Sequence, residues 1–98
     1  MTISSFKDSL TGKKPGENIS VYLKALWYDA TGNWNKAHEL VQNKQDKNAS
    51  WIHAYLHRKE GDFSNADYWY YKAGKERPSV SIEQEWEEIA VSLIDINA

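Results

Sequence analysis

The chain repeats itself at an offset of 29 residues, and this duplication constrains its fold more than any other feature of the sequence. Aligning residues 20–44 with residues 49–73 pairs glycine with glycine, aromatic with aromatic and alanine with alanine. The matched pairs are Gly32 and Gly61, Trp34 and Phe63, Ala37 and Ala66, Tyr22 and Trp51, and Ala25 and Ala54. Because these residue types determine turns and close packing, the alignment indicates two copies of one structural unit.

Each copy has the pattern of two helices joined by a tight turn. Gly32 and Gly61 lie where a residue of left-handed conformation ends a helix without a steric cost. Asn33 and Asp62 follow directly, and their side-chain oxygens can cap the first amides of the next helix. Two helices joined by so short a connection pack antiparallel. The sequence therefore predicts two consecutive αα-hairpins, over residues 18–44 and 48–75.

A last helix is predicted over residues 79–95. Ser81 followed by Gln84 is a capping-box pattern, and apolar residues then return at helical intervals. This apolar stripe consists of Ile82, Trp86, Ile89 and Leu93. We interpret the acidic residues between them as a solvated face, namely Glu83, Glu85, Glu87 and Glu88. The segment lacks a turn glycine and a partner helix, so we interpret it as a capping helix that covers the open end of the second hairpin.

Residues 1–17 leave two alternatives open. They are rich in serine, lysine and glycine, which favours a flexible arm. Ile3, Phe6 and Leu10 nevertheless have helical spacing, so a short helix ending at Gly12 is equally consistent with the sequence. The main helical domain is predicted to span residues 18–98.

The second copy resembles the tetratricopeptide repeat. The residues on which the resemblance rests have the intervals of that family, and they are Ala54, Gly61, Phe63, Ala66, Tyr70, Ala73 and Pro78. Residues 66–73 are also similar to the second helix of the related Sel-one-like repeat. The first copy departs from the pattern at Lys44, and the period of 29 is shorter than the usual length of about 34. The resemblance implies an all-α fold, in which two tandem helix-turn-helix repeats and a capping helix form a short α-solenoid.

The resemblance also implies a protein- or peptide-binding or scaffold role. In proteins of this kind the first helices of the hairpins line a concave surface. The matching positions here are Tyr22, Leu26, Trp51, Tyr55, Arg58 and Lys59. Aromatic side chains beside a pair of cations suit recognition of a partner protein or peptide. The alternative is that the N-terminal segment or the last helix fills this surface internally.

One constellation favours a different function, that of a small metal-dependent or acid–base enzyme. His53 and His57 are four residues apart, so both project from one face of a helix. A third ligand such as His38, Glu60 or Asp67 would complete a metal site. The sequence between the two histidines lacks the glutamate of the zincin motif, however, and two partly buried, hydrogen-bonded side chains are the simpler interpretation. We therefore predict a binding protein without a catalytic centre, metal or cofactor.

Composition excludes several other classes. The chain has no cysteine, which excludes disulfides and thiol nucleophiles. The net charge is −2 and no basic stripe is present, so nucleic acid is not an expected partner. No apolar run approaches the ~20 residues of a membrane span, and the first residues lack the apolar core of a signal peptide. The expected location is the cytoplasm. The sequence does not decide between a monomer and a homodimer.

Overall fold

The computed structural model of the protein describes residues 1–96, none of which lies in a β-strand. The described helices are α1 (Ile3–Asp8), α2 (Val21–Ala30), α3 (Trp34–Val41), α4 (Lys47–Lys59), α5 (Phe63–Lys72) and α6 (Ile82–Ile96). A 3-10 turn at Ser9–Thr11 follows α1. The predicted all-α fold class is confirmed. Across the described residues, every helix is too short or too polar to cross a lipid bilayer.

The turn between α2 and α3 ends one helix and begins the next within three residues. The amide of Gly32 donates to the carbonyl of Asp29 at 3.1 Å, and the amide of Asn33 donates to the carbonyl of Tyr28 at 2.8 Å. This pair of bonds is the Schellman motif, and Gly32 has the positive φ, +91°, that the motif requires. Asn33 then caps α3, because its side-chain oxygen accepts from the amide of Lys36 at 3.1 Å.

The turn between α4 and α5 has the same bonds 29 residues later. Gly61, at φ +86°, donates to the carbonyl of Arg58 at 3.0 Å, and the amide of Asp62 donates to the carbonyl of His57 at 2.9 Å. The Asp62 side chain accepts from the amide of Asn65 at 3.4 Å. The predicted sequence of a left-handed glycine followed by a helix cap is therefore confirmed at both turns.

Small residues allow the helices of each pair to approach closely. α2 packs on α3, α4 packs on α5, and α3 also contacts α4. Ala25, Ala37, Ala54 and Ala66 have no exposed surface. Ala54 and Ala66 lie with Tyr70 in one buried cluster between α4 and α5. The predicted burial of Ala66 is confirmed.

α6 packs on α4 of the second helix pair, as predicted, and it also packs on α2 of the first pair, which the sequence interpretation did not include. The indole Nε1 of Trp86 donates to the carbonyl of Leu26 in α2 at 3.0 Å. Trp86, Ile89 and Leu93 are buried as predicted, whereas Ile82 is half-buried. The apolar stripe of α6 therefore finds its partner surface on the first helix of both pairs.

The N-terminal segment forms the short helix α1, so the flexible arm is the alternative that the structure does not support. The Phe6 ring is buried and stacks on Trp86 of α6 with 5.7 Å between ring centroids. The indole Nε1 of Trp27 donates to the carbonyl of Ser9 at 3.2 Å, which fixes the end of the segment to α2. The 3-10 turn ends at Gly12, where the sequence placed the helix end.

Replacing Gly61 should reduce stability through backbone conformation alone. No neighbouring atom lies within 4 Å of a Cβ built at this position, so a side chain would meet no clash. Gly61→Val forces a β-branched residue to a positive φ, and we expect a loss of about 1–2 kcal/mol in the free energy of unfolding. Gly61→Asn should lose less, because asparagine tolerates this region. Urea denaturation measures both, and a Val variant as stable as the wild type would contradict the argument.

Candidate functional site

The surface that the sequence assigned to a partner is largely covered in the folded chain. Of its six residues, Leu26 and Tyr55 are buried. Tyr22, Trp51 and Arg58 are half-buried, and Lys59 is exposed. Because Leu26 and Tyr55 lie beneath other helices, neither can contact a partner, and the assignment of these two residues is corrected. The chain's own helices fill the part of this surface around Leu26 and Tyr55, which is the alternative that the sequence left open.

A buried carboxylate, that of Glu85, joins α4, α5 and α6. Its oxygens accept from Arg58 Nη1 at 2.9 Å, from the indole of Trp51 at 3.1 Å and from the Tyr70 hydroxyl at 2.8 and 2.6 Å. Arg58 also donates to the carbonyl of Val80. Arg58 and Trp51 are therefore committed to internal bonds. Glu85 is 1% exposed, which corrects its interpretation as part of a solvated acidic face.

A second buried carboxylate lies at the C-terminal end of α2. Asp29 accepts from the Tyr55 hydroxyl at 2.6 Å and from Lys59 Nζ at 3.0 Å. Burial, together with the neighbouring carboxylates, raises the pKa of both Tyr55 and Tyr70 well above the usual tyrosine value. Both hydroxyls therefore remain protonated donors in the folded protein.

Removing the Glu85 carboxylate should be strongly destabilising. Glu85→Ala leaves the Tyr70 hydroxyl buried without its acceptor and the half-buried Arg58 guanidinium without its carboxylate, which we expect to cost about 3–5 kcal/mol. The matched control is Glu88→Ala in the same helix, because Glu88 is exposed and should change stability by less than ~0.5 kcal/mol. Urea denaturation followed by circular dichroism provides both values. Equal stability of the two variants would show that the network contributes nothing.

The buried Tyr70 hydroxyl predicts a loss of stability at alkaline pH. The unfolded chain loses the tyrosine proton near the ordinary pKa of 10.0, whereas the folded protein retains it. The unfolded state then binds fewer protons, so the free energy of unfolding falls as pH rises above that value, by up to ~1.4 kcal/mol per pH unit for one tyrosine. Tyr70→Phe should flatten this slope in urea melts. Tyr71→Phe, at an exposed position, should leave it unchanged, and equal slopes for both variants would contradict the assignment.

All three histidines of the chain meet between α3 and α4. Nε2 of His38 in α3 lies 3.0 Å from Nε2 of His53 in α4, and His57 follows one turn later. One ring nitrogen of each histidine lies within 4.8 Å of one from each of the others. His53 and His57 are buried and His38 is half-buried. We call these three residues the histidine cluster.

The sequence suggested three residues as a possible third ligand beside His53 and His57. His38 belongs to the cluster, and Glu60 forms a hydrogen bond with a member of the cluster. Glu60 Oε2 accepts from Nδ1 of His57 at 2.6 Å. Asp67, the remaining suggestion, forms an ion pair with Arg77 at 3.1 Å instead. The i, i+4 pair could be recognised in the sequence, but the approach of His38 depends on how α3 packs against α4.

Two tryptophans enclose the histidine cluster. Trp34 stacks on His38 with 4.9 Å between ring centroids, and Trp69 stacks on His53 at 3.9 Å. Burial, and then the two neighbouring imidazoles, lower the pKa of His53 to about 3. Burial is also the main cause that lowers the pKa of His38. These two rings are therefore neutral at physiological pH, and Nδ1 of His53 is buried without a hydrogen-bond partner.

The outward side of α5 is the third unusual region. Three large aromatic side chains are exposed there: Phe63 at 48%, Tyr68 at 55% and Tyr71 at 82%. Cations lie over neighbouring rings, with Lys72 Nζ 5.6 Å from the Tyr68 centroid and the Arg77 guanidinium 4.6 Å from that of Phe63. The sequence analysis did not single out this side, because the repeat resemblance directed attention to the first helix of each pair.

Comparison of the chain with protein-family models, curated proteins and solved structures finds no match.

Proposed function

We propose that this protein is a small tetratricopeptide-like helical module that binds an acidic segment of a partner protein. The proposed contact surface is the outer face of α5, defined as Phe63, Tyr68, Tyr71, Lys72 and Lys75. The observation that favours this face is the 82% exposure of Tyr71 on a regular helix, beside a second exposed tyrosine three residues earlier. Residues three apart on a helix are neighbours, so Tyr68 and Tyr71 form one patch.

The repeat assignment is supported by the two turns. Residues 20–44 and 49–73 contain the same glycine conformation, the same Schellman bonds and the same helix cap at an offset of 29 residues. These features are those that the tetratricopeptide resemblance implies for each hairpin. We therefore propose that the two helix pairs are tandem repeats, and that α6 covers the face where the resemblance implied partner binding.

The composition of the outer face of α5 suits an acidic segment. Exposed tyrosines supply rigid contact area at a low entropic cost, and they are enriched where binding energy concentrates. Lys75 lies over the Trp51 ring at 4.0 Å and has no carboxylate partner among the described residues. A shallow depression of about 410 Å³ beside Tyr71 is lined by two cations, Lys75 and Arg77, and by two carboxylates, Asp67 and Glu76. Asp67 pairs with Arg77 there, so Lys75 is the cation that an incoming carboxylate would meet. The Lys75 ammonium beside the Tyr71 ring is therefore the group that would attract a carboxylate of the partner.

A peptide-display selection on the purified protein tests this proposal. The peptides it selects should be rich in Asp and Glu beside apolar residues. Fluorescence polarisation of a selected peptide should then show at least tenfold weaker binding to the double variant Tyr68→Ser/Tyr71→Ser, which corresponds to about 1.4 kcal/mol. Lys75→Glu should also weaken binding, and added salt should do the same for the wild type.

Val91→Ser is the matched control, because Val91 is an exposed apolar residue on α6, away from the outer face of α5. Its affinity for the peptide should equal that of the wild type. Selection of no peptide, or equal weakening by Val91→Ser, would contradict the proposal. A homodimer that the tyrosine double variant dissociates would assign the face to self-association and would also contradict it. A cytoplasmic location and the lack of catalytic activity stay predictions from the sequence.

A further inference from the structure

The histidine cluster is not needed for the function proposed above, and its chemistry points elsewhere. We propose that His38, His53 and His57 bind a divalent transition-metal ion, with zinc as the ion best suited, and that each histidine contributes one imidazole nitrogen. The first support is convergence. The chain has three histidines, one on α3 and two on α4, and all three meet at one place.

The distances in the cluster are close to those of a three-histidine site. Zinc–nitrogen bonds of about 2.0–2.1 Å in a tetrahedron place two ligand nitrogens about 3.3 Å apart. The Nε2 atoms of His38 and His53 are 3.0 Å apart, and the widest separation in the group is within 4.8 Å. Changes of an ångström or so at the ends of imidazole side chains would bring all three nitrogens to one ion. The two backbone segments could remain in place.

The present hydrogen bonds leave the nitrogens available. The Nε2 atoms of His38 and His53 lie 3.0 Å apart, so one of them accepts a hydrogen bond from the other, and the accepting nitrogen has a lone pair that a metal ion could take in place of that bond. Nδ1 of His53 has no partner, and stacking on Trp69 restrains the ring without fixing its tautomer. The His53 ring can therefore present a bare nitrogen to an ion without breaking any bond except the one to His38.

His57 has the support that metal-bound histidines usually have. Its Nδ1 lies 2.6 Å from the Glu60 carboxylate, which holds the proton on that nitrogen and leaves Nε2 as the ligand. Nε2 at present accepts a long bond of 3.3 Å from the Asn65 amide, which an ion would replace. Glu60 and Asp62 also place negative charge beside His57, which offsets part of the charge of a divalent cation.

The surroundings favour zinc over the oxygen-preferring cations. Neutral imidazoles suit zinc and its transition-metal neighbours, whereas Mg²⁺ and Ca²⁺ require carboxylates, carbonyls and water. Trp34 and Trp69 exclude water from two sides of the cluster. His38 is half-buried, so the fourth coordination position would face solvent on the side of α3 and could hold a water molecule.

Isothermal titration of ZnCl₂ into tag-free protein, treated first with a chelator, tests the site directly. We expect one ion per chain with a dissociation constant in the micromolar range or below, and no heat from MgCl₂ or CaCl₂. Co²⁺ should give the intense visible absorption of a four-coordinate site. His38→Gln should lose at least tenfold in affinity, and Glu60→Gln, which removes the support of His57, should lose about 10–100-fold.

Glu39→Gln is the matched control, because this exposed carboxylate lies next to His38 in sequence but outside the cluster. Its affinity should equal that of the wild type. Circular dichroism without metal establishes that each variant is folded. The half-buried His38 is the principal variant because its replacement disturbs the core least. Absence of zinc binding, unchanged affinity of folded His38→Gln, or equal binding of Mg²⁺ would each overturn the proposal, and none of these results bears on the outer face of α5.

Discussion

The bonds of Glu85 join α4, α5 and α6 inside the protein. This single carboxylate accepts from a guanidinium, an indole and a phenol that come from α4 and α5, while Glu85 itself belongs to α6. A buried ion pair is seldom worth much net stability, because desolvation offsets most of the attraction. It does, however, strongly disfavour every arrangement in which one partner is buried alone. Glu85 therefore restricts where α6 can lie, in addition to the apolar contacts of the α6 stripe.

The position of α6 in turn decides which surfaces a partner can reach. With Trp86 bonded to Leu26 and stacked on Phe6, the inner sides of α2 and α4 become core. The aromatic residues that the repeat resemblance assigned to a partner surface, among them Trp51 and Tyr55, lie here in or against the core. A chain of this size buries a limited fraction of its surface, so the use of that face for stability has a clear physical reason. The exposed rings of α5 lie outside this core, and they are the ones that the proposed function uses.

Local features of the structure could be predicted from the sequence, and features that depend on distant contacts could not. Gly32 and Gly61 adopt the expected positive φ, because a glycine followed by a capping residue determines its own turn. The placement of α6 depends on which apolar surface accepts its stripe, and no local pattern encodes that choice. The burial of Glu85 could have been predicted from its spacing, because it lies three residues after Ile82 and four before Ile89, on the edge of the apolar stripe. Similarly, the His53–His57 spacing was visible, while the approach of His38 required the packing of α3 on α4.

The two turns have a consequence for how a chain of this kind can change length. Asn33 and Asp62 each donate a backbone bond that ends one helix and accept a side-chain bond that begins the next. An insertion or deletion within these turns would separate the bond that ends one helix from the bond that begins the next, and it would therefore disrupt both helix ends. The segment between α3 and α4, residues 42–46, is exposed, and none of its residues both ends one helix and caps the next. Natural length variation in relatives of this chain should therefore accumulate between the helix pairs and spare the turns within them.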